Sequence, residues 1–147
     1  MRQGILYSSV RALLPEGERI LKIAHMWTRH RLTLAYAGLA FAGFVALAFF
    51  VGVEQWSGRL GLGMAAAAVA TMATTEYRVL VLTSKGLVLM DSSRVRQRAK
   101  AIIRRLPDSA EVEAVGSNLV ITDWTVDGHV YSVMKRHQSA MVAISQR

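Results

Sequence analysis

Residues 32–53 form a run of 22 consecutive positions without a charged side chain. Coiled as an α-helix at 1.5 Å per residue, such a run is about 33 Å long, against a hydrocarbon core of about 30 Å. It therefore predicts a membrane span over 32–53. The run starts too far from the N-terminus, and is too long, for the apolar core of a cleavable signal peptide, so it is expected to stay in the mature chain. A second apolar stretch, residues 60–75, has 16 positions and ends at Glu76. As a helix it is only about 24 Å long. Arg59 can snorkel, Trp56 suits a membrane interface and Gly58 allows a tight connection, so a second span over about 58–75 is expected. Together these give a transmembrane helical hairpin over 32–75. A surface or re-entrant helix is the alternative for 60–75.

Charge orients this arrangement. Lys and Arg number 18 against 10 Asp and Glu, a net +8. Residues 1–31 hold six basic and two acidic side chains, residues 76–147 hold 11 and 7, and the loop between has only Glu54 and Arg59. Lys and Arg close to span ends favour the cytoplasmic side, so Arg29, Arg31 and Arg78 predict that both termini are cytoplasmic. Neither apolar stretch contains Asp, Glu, Lys, Arg or His, which excludes the buried charges that proton relays and ion paths need. With no Cys in the chain, disulfides, thiolate metal sites and lipoprotein acylation are excluded too. The stretches do carry small residues four apart: Gly38, Ala42 and Ala46 on the first, and Gly63, Ala67 and Thr71 on the second. Such stripes let backbones approach, either within the hairpin or against a partner's helices or a second copy.

Three parts follow: an N-terminal juxtamembrane segment 1–31, the hairpin 32–75 and a cytoplasmic domain 76–147. In the first, Ile5, Leu6, Val10, Leu13 and Leu14 are spaced for one face of a short helix, which lies on headgroups or covers the third part. The segment Ile20-Leu21-Lys22-Ile23 reads as helix or strand. In the third part, residues 77–83 and 87–90 flank the turn residues Ser84-Lys85-Gly86, and residues 118–126 and 129–134 flank Asp127-Gly128, the dipeptide that a type I′ hairpin turn prefers. A short strand near 112–116 and a C-terminal helix complete an expected count of five strands and one helix.

The order of these parts resembles the small bacterial membrane proteins that carry a pleckstrin-homology-like domain. The residues behind the resemblance are Leu14-Pro15-Glu16-Gly17-Glu18 with its flank, the basic stretch Thr28-Arg29-His30-Arg31 before the apolar run, and the strand-turn-strand of 77–90. The resemblance implies a small α+β, mainly antiparallel β, PH-like cytoplasmic domain closed by a C-terminal helix. It also implies residence in the bacterial cytoplasmic (inner) membrane, and a docking or scaffold role with no catalytic residues. The 72 residues of 76–147 are short for a complete domain of that kind. A truncated sheet, or completion by the N-terminal segment, is therefore open.

Arg94, Arg96, Arg98, Lys100, Arg104 and Arg105 place six cations within 12 positions. The first four alternate and would share one face of a strand. They suit anionic headgroups or an acidic partner, or else they fix topology and protect a strand edge. Nucleic acid is not expected, because no aromatic platform lies between them. His25 and His30 are five apart, off the i, i+4 spacing at which two helical histidines share a metal, and Asp127 beside Asp123 and His129 is explained by its turn; no metal or cofactor is expected. No nucleophile elbow, phosphate loop or dinucleotide fingerprint is present. The expectation is a non-catalytic, membrane-anchored docking or scaffold protein, an accessory subunit of a larger membrane complex. Its partners would be membrane lipid and an integral membrane protein or another copy. The alternative is a peripheral sensor that reads anionic lipid through residues 94–105.

Overall fold

The computed structural model describes residues 2–94 and 98–147. In chain order these form α1 (Arg2–Leu13), β1 (Ile20–Arg29), α2 (Thr33–Phe50), α3 (Trp56–Ala73), β2 (Thr75–Thr83), β3 (Gly86–Ser92), β4 (Ala99–Leu106), β5 (Val112–Ser117), β6 (Ile121–Val126), β7 (His129–Met134) and α4 (Gln138–Ser145). They divide into two compact units, Met1–Thr28 with Tyr77–Arg147, and Arg29–Glu76.

The first unit is built on one seven-stranded sheet of order β4-β3-β2-β1-β7-β6-β5. Strand β1, from the N-terminal segment, lies in the middle and pairs antiparallel with β7, Met26 opposite Val133. The segment left open between helix and strand is thus a strand, because its alternate side chains are needed on two different cores. Ala24 and Met26 join the cluster of Leu80, Trp124, Tyr131 and Val133 that α4 closes with Met141 and Ile144. Ile23 packs instead with Val79, Val81, Val88 and Met90 under α1, whose Leu6, Val10 and Leu14 are buried there. Covered on both faces, β2 and β3 read as unbroken apolar runs. Strand β6 is buried only at every second residue and alternates. The amphipathic face of α1 is therefore spent on the sheet. At the β6–β7 turn Asp127 and Gly128 both have positive φ, 50° and 78°, as a type I′ turn requires.

The second unit is a pair of helices. The ends of its segment are tied by a hydrogen bond from His30 N–H to Thr74 O (3.3 Å). At the other end, Arg59 is held by the loop: its Nε donates to Val53 O (2.6 Å), and its guanidinium lies 4.7 Å from the Phe49 ring and 5.1 Å from the Trp56 ring. Gly63 is buried against α2, where a Cβ would stand 2.7 Å from Val45 Cγ2 and 2.8 Å from Phe41 Cδ2.

Two expectations are corrected. A transmembrane hairpin of two spans is overturned, because α2 is the one helix among the described residues long and apolar enough to cross a membrane. Helix α3 fails on composition: Arg59 falls inside it, and 9 of its 18 residues are Gly or Ala, which bury little apolar surface each. Nor is the sheet a five-strand domain confined to 76–147. It has seven antiparallel strands, one of them from before the helical pair, in an α+β fold with four α-helices.

Candidate functional site

Helix α2 carries no charge, and of its 18 residues only Thr33 and Ala48 are buried. Leu34 is 85% exposed, Leu39 72% and Phe50 84%. A continuous apolar surface of this kind is uncommon on a surface meant for water. The small-residue stripes divide. On α3, Gly63 is buried and Ala67 and Thr71 are half-buried on the same side, with Thr71 Oγ1 donating to Ala67 O (2.9 Å). On α2, Gly38, Ala42 and Ala46 are exposed; the side turned inward holds Ala37, Phe41, Val45 and Ala48. Only the α3 stripe serves the helix pair. The chain leaves the α2 stripe on the outer, apolar surface.

The cations of 94–105 are not one row. Strand β4 starts at Ala99, so Arg94 and Arg98 precede it, and Arg96 lies outside the described residues. Arg94 sits over the Tyr77 ring at 6.0 Å. Arg98 and Lys100 are exposed. Arg104 pairs with Asp127 (2.6 Å), and Arg105 turns to the other face of β4 to meet Glu18. Strand β4 is an edge of the sheet, and its cations suit a strand that must not pair with stray chains. The acids of the β6–β7 region are also engaged: Asp127 as described, and Asp123 by Ser132 Oγ, which donates to Oδ1 (2.7 Å).

Glu18, the last residue of the Leu-Pro-Glu-Gly-Glu segment, has a role that spacing did not reveal. Its side chain has no solvent exposure, and it accepts from Arg105 Nη1 (2.9 Å), Arg105 Nη2 (2.7 Å) and Thr83 Oγ1 (2.5 Å). Arg11 Nη1 also donates to its backbone carbonyl, which ties α1 to the same point. The guanidinium of Arg105 holds the carboxyl at about 2, against the opposing effect of burial.

His25, on β1, is buried with its ring 5.8 Å from that of Tyr77 and 6.5 Å from that of His137. Burial, and then the charge of His137 and Arg136, push it down to about 4; burial also lowers His137. Its Nε2 has no hydrogen-bond partner among the described residues. Beside this cluster an open groove of about 360 Å³ runs between α1, β1 and α4, lined by Leu6, Tyr7, residues 20–23, His137 and Ala140. The groove is mainly aliphatic, with Lys22, Tyr7 and His137 as its polar side chains. His30, which the sequence pairs with His25 only by proximity, instead accepts at its Nδ1 from Leu32 N–H (3.3 Å) at the start of the second unit. Set beside known proteins, the chain matches no family model, no curated protein and no solved structure.

Proposed function

We propose that the protein is a non-catalytic, membrane-attached docking protein, with the outer face of α2 as its contact with the apolar phase and the sheet unit as its docking module. One observation carries the reading: an uncharged helix of 18 residues with only two of them buried. Water does not tolerate such a surface without a cover. The resemblance to membrane proteins with a pleckstrin-homology-like domain supports a docking role. Arg29 and Arg31, just before α2, favour a sheet unit on the cytoplasmic side of a bacterial inner membrane. An accessory place in a larger membrane complex fits the Gly38, Ala42 and Ala46 stripe left on the outer surface of α2. Headgroup reading through residues 94–105 is the weaker alternative, since Arg104 and Arg105 are already paired within the chain.

The test is flotation of the full chain with vesicles of phosphatidylcholine alone, compared with Leu39→Lys/Phe44→Lys. Each Lys near a helix centre costs about 3 kcal/mol in an apolar phase. The native chain should float, and the double variant should move to the aqueous fraction with its sheet intact. A native chain that stays in the aqueous fraction, or a variant that floats as well, overturns the proposal.

A further inference from the structure

We infer that the β5–β6 turn is a second membrane contact: an apolar tip with a cationic rim that inserts into an anionic phospholipid surface. The turn is closed on itself. Asn118 N–H donates to Ile121 O (2.8 Å), and Asn118 Oδ1 accepts from Val120 N–H (3.0 Å) and Ile121 N–H (2.8 Å). The N–H groups of Asn118, Val120 and Ile121 are thus satisfied locally, which lowers the cost of the tip's leaving water. The side chains it presents are Leu119, 97% exposed, and Val120, 63% exposed. A turn needs no aliphatic pair at its apex, where polar residues are the usual choice.

The rim is held against this apex. Lys135 N–H donates to Val120 O (3.0 Å), and Lys135 Nζ donates to Ser117 Oγ (2.7 Å). Arg136 follows and is exposed. The nearest acid along β6, Asp123, is occupied by Ser132 and leaves the apex to the cations. Aliphatic side chains flanked by Lys135, with Arg136 next to it in the chain, match an interface whose headgroups are negative above an apolar layer, and the fixed turn presents them with no ordering to be done on contact. Charge complementarity therefore favours anionic lipid over a neutral apolar groove on another protein. This inference does not depend on the reading of α2.

The chain has no Cys, so Leu119→Cys in the full chain can be labelled at one place with an environment-sensitive fluorophore. Ser109→Cys, exposed at the opposite end of β5, is the control. Vesicles of phosphatidylcholine mixed with phosphatidylglycerol should shift the emission at 119 to the blue and raise it several-fold. Vesicles of phosphatidylcholine alone should not, and the label at 109 should respond to neither. High salt, or Lys135→Gln with Arg136→Gln, should remove the response. Far-ultraviolet circular dichroism reports that each variant is folded. Repeating the measurement on the Leu39→Lys/Phe44→Lys chain separates the two contacts, because the tip should still respond to anionic vesicles when attachment through α2 is lost. An unchanged emission at 119, an equal response to both vesicles, or an equal response at 119 and 109 overturns the inference.

Discussion

Glu18 and His25 are both buried ionisable side chains, and they are kept in opposite charge states by their surroundings. The carboxylate meets a bidentate guanidinium and stays ionised. The imidazole is buried, has the titratable His137 and the cation Arg136 as its neighbours, and stays neutral. Both are therefore liabilities in acid, in separate windows. Free imidazole takes up a proton near 6.5, whereas His25 in the fold does so near 4. Between these values the unfolded chain binds the extra proton, so stability is full above about 6.5 and falls as the pH drops towards 4. A shift of this size corresponds to roughly 3 kcal/mol as an upper bound. Glu18 adds a lower window, with stability present above about 4.5 and lost towards 2. Urea midpoints measured from pH 7 to pH 4 should decline for the native chain and decline much less for His25→Phe. An equal decline in both would show that His25 does not couple folding to protons. Neither role is legible in the sequence. A His between Ala24 and Met26 gives no hint of what lies opposite, and the partner of Glu18 is 87 residues away.

Both β-hairpins flanking Ser84-Lys85-Gly86 and Asp127-Gly128 are where turn residues place them, because a hairpin is decided within about ten residues. Strand β1 reads equally as helix or strand for a physical reason: with cores on both faces, its side chains show no alternation. The division of α2 into inner and outer sides was hidden as well, since nearly every residue in it is apolar and periodicity vanishes. Position 63 makes that division testable. Gly63→Leu places atoms where Phe41 and Val45 already stand, and should separate α2 from α3, whereas Gly61→Ala meets nothing within 4 Å and should be tolerated. Crosslinking between cysteines placed at Ala48 and Gly58, near the loop, and at Ala37 and Ala70, near the open end, reads the separation. Undiminished crosslinking at both ends in Gly63→Leu would mean that the close approach at 63 does not hold the pair together.

The whole molecule depends on an order of strands that chain order conceals. β1 stands between β2 and β7, and the segment that supplies it is separated from β2 by the entire helical pair. A piece containing only residues 75–147 would therefore have two sheet halves, β4-β3-β2 and β7-β6-β5, with a strand-wide gap between them and two unsatisfied inner edges. Exposed edges of that kind recruit other chains. The piece should aggregate alone and be rescued by a separate peptide of residues 1–30, with the sheet reassembling around the supplied strand and Trp124 returning to its buried emission. A piece that remains monomeric and folded without the peptide would contradict the central position of β1. In this sense the first thirty residues are the protein's own donor strand. The chain is a natural candidate for a two-fragment complementation pair, divided within the loop between α2 and α3, whose reassembly reports that both halves have arrived at the same surface.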